Sequence, residues 1–524
     1  MLQSNSILRL SENDTHSNIL ALYLSLSDQT SSHNPLDCHI STQFEATNDK
    51  IRVELTTLPA ELLTEVLKLL TWKDILYLRM TCKYLSEVTR TRAIWAHLID
   101  EYITSKPYPP LLERPIDMYT SGELEHQLLV WTSADLGWVT DDGHAARERS
   151  ILAETPEFVH LIKGGRWLLV TTDIGAVTYY DLDADNITGV LLIPAQVHKP
   201  HPSYKIKMIV EIDTKSPVLS FKIGFFIIGV PIPQDSNPHP TGSKAMFQVW
   251  DVTLVLDDSR NGIGLSATEL AVFDRPSAIR GILEFSFLGP AIAFIALIPR
   301  HGLYTFVLEW TQVVEDASKY YWRILNHASS SSLIQLLPEK RILVASSDYV
   351  KLFDYSLVKE TLCTAQQSPH SPTLDPIWKP YIGHLFSGYM SMCFSTSDAT
   401  RINFVSNRHI HSMVIRNASL PDEVPSLFHL VNAPGNGFFI SESFLGFARS
   451  VAVDFDQDVW LVRYNFPDDE SPGLLKYVRK HLKHTFLAMC RCPAVDEDSG
   501  RVVVSDYSES RELVIADFAL IFTP

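Results

Sequence analysis

The sequence predicts an α+β multidomain chain, with a small helical bundle near the start and a large all-β array of about seven blades behind it. Three observations carry this. Residues 58–103 place apolar side chains at helical spacing. From about residue 133 onward, short β-branched and aromatic segments alternate between turns. In that second region a unit of strand, Asp-containing turn and second strand ending at Asp or Asn occurs four times, with three weaker copies.

The 524 residues suffice for two or three domains or one large repeat array. A net charge of −17 argues against a nucleic-acid partner, which needs positive surface to neutralise phosphates. Six cysteines are few, and Cys490 and Cys492 form a pair too short and isolated for a zinc site, so no metal or other cofactor is expected. The first ten residues lack a basic start followed by an apolar run. The apolar stretches 218–232 and 281–298 contain Lys222 and Glu284, and the second is broken by Gly289 and Pro290. Neither suits a membrane span, the first being short, and the second reads as paired strands around the Gly-Pro turn. An intracellular protein, cytoplasmic or nuclear, is expected.

Residues 1–52, rich in Ser, Thr, Asn and Asp, are expected to be mostly disordered. The helical segment follows at 53–104. Pro59 sits where a helix start tolerates proline, and Leu62, Leu63, Val66, Leu67 and Leu70 recur behind it. Thr71 to Asp74 has the form of a capping box opening a second helix with Ile75, Leu76 and Leu78. Tyr84, Leu85 and Val88, then Ile94, Trp95, Leu98 and Ile99, extend the pattern. A piece of about 45 residues buries too little surface to be secure alone. Part of its apolar surface is therefore expected to meet another protein.

The order, spacing and residue types of Leu58-Pro59, Glu61-Leu62-Leu63, Leu70, Asp74-Ile75-Leu76, Leu78, Cys82-Lys83 and Ile94-Trp95 resemble the F-box family. The resemblance covers about one tenth of the chain. It implies docking on a Skp1-type adaptor and, through it, a cullin-RING ubiquitin ligase. The chain would then be a non-catalytic subunit of an SCF complex, recruiting a protein substrate for ubiquitin-dependent degradation. The residues expected to dock are Leu58, Pro59, Leu62, Leu63, Val66, Leu70, Ile75, Leu78, Cys82, Leu85 and Trp95, some of which must instead hold the helices together. The alternative is an adaptor-bound scaffold acting outside a ligase.

Residues 105–132 read as a linker. Prolines at 107, 109 and 110 end the helical region, and Ser121 is placed to cap a helix carrying Leu124, Leu128 and Trp131. Such a helix would be a rigid spacer. Residues 133–524 hold the repeats. The clearest pair 166–170 with 176–181, 341–345 with 350–354, 450–454 with 459–465, and 501–505 with 513–517. Weaker copies end near Asp251, Trp310 and Ile415. The intervals exceed the roughly 40–45 residues of a WD40 repeat but suit blades with loop insertions. Only Trp250-Asp251 is similar to the WD dipeptide, so the array resembles a WD40-like β-propeller. A pair of β-sandwiches is the alternative.

Other constellations read as structure. Asp181, Asp183 and Asp185 open like a calcium loop, but Asn186 and Leu192 stand where Gly and Glu are required. Asp454, Asp456 and Asp458 fail the same test and read as an acidic turn. His481 and His484 lack the Glu of a zinc protease, and His409 and His411 alternate on a strand with no carboxylate cluster. No P-loop, dinucleotide fingerprint or Gly-x-Ser-x-Gly occurs, so no enzyme activity is expected. Arg166, Arg280, Arg401, Arg408, Arg449 and Arg463 are the candidate readers of a phosphorylated target; the substrate-binding residues are otherwise unassigned.

Overall fold

The computed structural model describes residues 55–521, apart from 139–144, 155, 197–203, 230–245, 275–278, 280, 299–301, 314–319, 327–330, 347, 363–373, 383–389, 397, 407–408, 418–423, 433–439, 455–458, 465–477, 483–489 and 507–511. Five helices come first: α1 (Ala60–Leu67), α2 (Trp72–Arg79), α3 (Lys83–Val88), α4 (Arg92–Ser105) and α5 (Ser121–Gly137). Pro59 is the residue before α1, and its carbonyl accepts the Leu63 N–H at 3.0 Å. At α2, the Thr71 hydroxyl accepts the Asp74 N–H and donates to its carboxylate at 2.6 Å.

The cap of α5 is Thr120, one residue before the expected Ser121. Thr120 is extended and accepts the Glu123 N–H, while the Glu123 carboxylate takes the Thr120 N–H at 2.7 Å. That reciprocal pair satisfies two free donors at once, which Ser121 cannot do without a Glu or Gln three residues on. Ser121 instead donates to the Arg90 carbonyl of the preceding bundle. The helix continues to Gly137, past the expected boundary at 132, and its last turn packs on blade 7, Ala134 against Gly500 and Gly137 against the Phe518 backbone.

The rest is a seven-bladed β-propeller. Blade 1 has strands Pro156–Leu161, Trp167–Thr172, Val177–Asp181 and Gly189–Ile193. Blade 2 has Tyr204–Ile212, Ser220–Gly229, Met246–Leu256 and Gly262–Asp274. Blade 3 has Gly281–Leu288, Ala291–Ile298, Gly302–Glu309 and Tyr321–Leu325, with Thr361–Leu362 added outside. Blade 4 has Ser331–Leu337, Arg341–Ser346 and Val350–Asp354. Residues 377–378 bond to Leu352 along its outer edge. Blade 5 has Phe394–Ser395, Ala399–Ser406, His409–Arg416 and Ser426–Asn432. Blade 6 has Ile440–Leu445, Arg449–Asp454, Val459–Arg463 and Val478–Leu482. Blade 7 has Cys490–Asp496, Arg501–Asp506 and Glu512–Asp517, and its fourth strand is Arg147–Leu152 from the start of the β region.

That last pairing closes the ring. Arg147–Leu152 runs antiparallel to Glu512–Asp517, with Ile151 opposite Leu513 and Arg149 opposite Ile515. It removes the edges that two open ends would expose. Buried ion pairs stitch the seam: Asp517 accepts Arg149 at 2.7 Å and Arg501 at 2.5 Å, and Arg501 reaches Asp183 of blade 1 at 3.0 Å. The recurring sequence unit marks one position in every blade. Its second strand is the third strand of all seven sheets, counted from the axis. The sequence reading ended the blade 2 copy near Asp251, whereas that strand runs on to Leu256.

The first strands of blades 6, 7, 1, 2, 3 and 4 touch their neighbours in that order around the propeller axis. Between blades lie apolar layers, the largest joining blades 2 and 3 through Phe226, Phe247, Phe285 and Phe294.

Candidate docking site

Two surfaces bear on function: the outer face of the helical module and the propeller face beneath it. The module has its own core of Leu63, Leu67, Ile75, Leu85, Ile94, Trp95, Leu98 and Ile99, which α5 completes with Leu124, Leu128 and Trp131. A buried ion pair fixes α5 there. Glu125 accepts two bonds from Arg79, at 2.5 and 2.9 Å, and the guanidinium also lies 5.6 Å from the Trp95 ring. Trp95 Nε1 donates to the Thr89 carbonyl at 2.9 Å.

The expected docking residues divide between two roles. Leu63, Ile75, Leu85 and Trp95 are buried inside the module and hold its helices together. Leu58, Leu70, Leu78 and Cys82 are half-buried at its rim. Pro59, Leu62 and Val66 face outward, Leu62 at 56% exposure and Val66 at 40%. Three outward apolar residues were absent from the expected set: Leu69 at 85% exposure, Tyr77 at 40% and Met80 at 57%. Leu62 and Val66 stand at i and i+4 on α1, whereas Leu69 lies two residues past its end, in a turn where its N–H bonds the Val66 carbonyl at 3.1 Å. Tyr77 and Met80 depend on how α2 is rotated against α1, which spacing alone does not fix.

The module sits on the propeller face formed by the turns between first and second strands. At blade 6, Arg449 pairs with Asp135 of α5. At blade 7, Gly500, with φ +66°, lies so close to α5 that an added Cβ would meet the Ala134 Cβ at 2.8 Å. Trp138 packs on Phe518. Residues 106–119 run as a strap over blades 1 and 2. Glu113 pairs with Arg166 at 3.1 Å and its carbonyl accepts the Leu219 N–H at 2.7 Å. Arg114 donates to the Arg260 carbonyl at 2.6 Å.

Burial and charge perturb several groups at this junction. Burial, with Glu113 adding, pushes the Tyr119 phenol up to about 12. The Glu497 carboxyl is pushed up to about 7 by burial, against Arg449 and the N–H groups of Phe447 and Ala448.

Of the arginines expected to read phosphate, Arg166 is held by Asp181 and Glu113, and Arg449 by Asp135. Arg401 lies 5.0 Å from the Phe447 ring. They serve the scaffold and do not converge on a shared site. Arg280 and Arg408 lie outside the described residues, as do His484, Asp456, Asp458 and the segment 1–52. The acidic turn at Asp181 takes two bonds from Arg166 and one from the Asp183 N–H. His409 and His411 are joined across the sheet by His429, with ring centroids 4.7 to 5.9 Å apart.

No protein-family model matches the chain, and no curated protein does. Among solved structures it is similar to the Myceliophteria thermophila Cps50 (Swd1) β-propeller domain, at 11% identity and a TM-score of 0.38, over 70% of this chain and 98% of that one. It is also similar to a chain of the fission yeast SREBP–SCAP binding-domain complex, at 14% identity and a TM-score of 0.29, over 51% of this chain and 63% of that one. Neither likeness bears on function. No helix among the described residues is long and apolar enough to cross a membrane.

Proposed function

We propose that the chain is an F-box-like substrate receptor. Its helical module docks on a Skp1-type adaptor, and the propeller holds a target protein for ubiquitylation by an attached cullin-RING core. The observation that carries this is the set of outward apolar residues Pro59, Leu62, Val66 and Leu69, with Tyr77 and Met80 also exposed. The module's interior is already filled by its own Leu63, Ile75 and Trp95 and by α5, so this set is not needed for folding. Several large apolar side chains left outside a complete core on one short segment mark an interaction site. The role of the propeller is then linked binding, which raises the concentration of target lysines near the transfer site.

Co-purification with a Skp1-type adaptor tests the reading. Leu62→Asp with Val66→Asp, and separately Leu58→Ala with Pro59→Ala, should abolish it while the protein stays soluble. Aliphatic hot spots contribute about 2 kcal/mol each, so a pair lowers affinity roughly a thousandfold. Undiminished adaptor binding by both pairs refutes the reading. A cullin recovered with the adaptor distinguishes a ligase subunit from a scaffold.

A further inference from the structure

Three histidines meet on one face of blade 5. His409 and His411 alternate along its third strand, and His429 stands directly opposite His411 on the fourth. A β-bulge places it there. Ile410 pairs with Val431 and His411 with His429, so Leu430 is the extra residue. In a regular ladder Leu430 would face His411, and His429 would project from the other side of the sheet. With the bulge, the ring centres lie 4.7 Å apart for His409 and His429, 5.5 Å for His411 and His429, and 5.9 Å for His409 and His411.

With metal–nitrogen bonds of about 2.0–2.1 Å, imidazoles around a tetrahedral zinc ion have ring centres about 5 Å apart. The three observed spacings bracket that value. Turning a ring about its Cβ–Cγ bond moves the nitrogens but leaves the ring centre nearly in place, and this torsion is soft. The spacing of the centres therefore decides whether the cluster can close on an ion. Among the described residues no group of three His, Cys, Asp or Glu side chains is already set around an ion's position, so closure takes such a turn.

Each ring brings something a ligand set needs. The buried Nδ1 of His409 has no hydrogen-bond partner, a cost that a metal bond would remove. The His411 ring donates to the Ser406 carbonyl, the kind of outer contact that orients a ligating imidazole and leaves its other nitrogen for the metal. Burial, then His429 and His409, hold the His411 imidazole down at about 4, so at neutral pH it is in the uncharged form that binds metal. Phe404, fully buried, stacks on His411 at 5.4 Å and backs the cluster with apolar surface. His429 is exposed on the outer strand.

We propose that His409, His411 and His429 form a zinc site with three protein ligands and a fourth position open to water. The ion would pin the fourth strand of blade 5 to the third beside the bulge that interrupts their ladder. The rival account is that the three imidazoles only pack on one another. To decide, the full-length protein is stripped with a chelator and titrated with Zn2+ at about pH 7.5 against a chromophoric competitor. The parent should bind with a Kd below about 1 µM. His409→Gln, His411→Gln and His429→Gln should each weaken that site by about tenfold or more. Any other zinc-binding group is common to parent and variants and drops out of the comparison. His429 is exposed, so His429→Gln decides the matter even where the other two variants fail to fold. A parental Kd above about 1 µM overturns the proposal, as does a loss of less than about tenfold in His429→Gln. The adaptor-binding test does not involve blade 5, so the two readings stand or fall separately.

Discussion

Glu125→Leu should be among the most destabilising single changes in the helical module. Glu125 lies on α5 and is 7% exposed, and its two oxygens neutralise Arg79 on α2. The side chains of the pair are 8% and 9% exposed, so solvent screens little of the interaction. Removing the carboxylate leaves a guanidinium whose remaining bonds go to the Thr89 hydroxyl at 3.3 Å and its carbonyl at 3.4 Å. Stranding one partner of a buried pair costs about 3–5 kcal/mol. Replacing both partners by apolar residues of similar volume is often neutral, so Arg79→Leu with Glu125→Leu should recover most of the loss. The assay is native-state hydrogen exchange of the α4 and α5 amides, which reads the module separately from the propeller. A global melt would merge the two. The double-mutant cycle then gives the coupling energy. A loss below about 1 kcal/mol for Glu125→Leu, or a double variant as unstable as the sum of the singles, refutes the reasoning.

Two further outcomes follow from the geometry. At Gly137 an added Cβ would meet the Phe518 carbonyl oxygen at 1.7 Å, so Gly137→Ala must push α5 off the last blade. We expect a loss of about 1–3 kcal/mol and faster exchange in both segments, with parental exchange as the contrary result. The second concerns acid. Burial holds the His160 imidazole down at about 4, and burial followed by His429 and His409 does the same for His411. A depressed folded value means that the unfolded chain binds more protons between about pH 6.5 and 4. Stability is therefore fully present above that window and is lost as pH falls through it, by at most about 3 kcal/mol per histidine. Glu497, raised from 4.5 to about 7, acts with the opposite sign, its contribution being lost as pH rises through that window. His160→Gln and His411→Gln should each flatten the acid limb of the urea midpoint against pH, and an unchanged limb in both would count against burial as its cause.

Much of the fold was legible because its signals are local. A strand with one buried face repeats every two residues, and a turn residue announces its own turn. The segments 341–345 and 350–354 therefore appeared in the sequence as the strands Arg341–Ser346 and Val350–Asp354. The helical spacing of Leu62, Leu63, Val66 and Leu67 was legible for the same reason, whereas Leu69, past the end of α1, was missed. Tertiary structure decided what depends on contacts between distant residues. Arg147–Leu152 gives no local sign that it will complete the blade of residues 490–517, since that pairing spans the whole array. Within the helical module, Leu62 and Leu63 are neighbours of one residue type, yet one faces out and the other is fully buried. Only the packing of α4 and α5 against α1 and α2 separates them. Arg166 and Arg449 read as free cations in sequence because their partners, Glu113 and Asp135, belong to another part of the chain. Tyr108 read as part of a proline-rich stop, and in the fold its ring meets Phe394 of blade 5, Phe447 of blade 6 and Lys163 of blade 1.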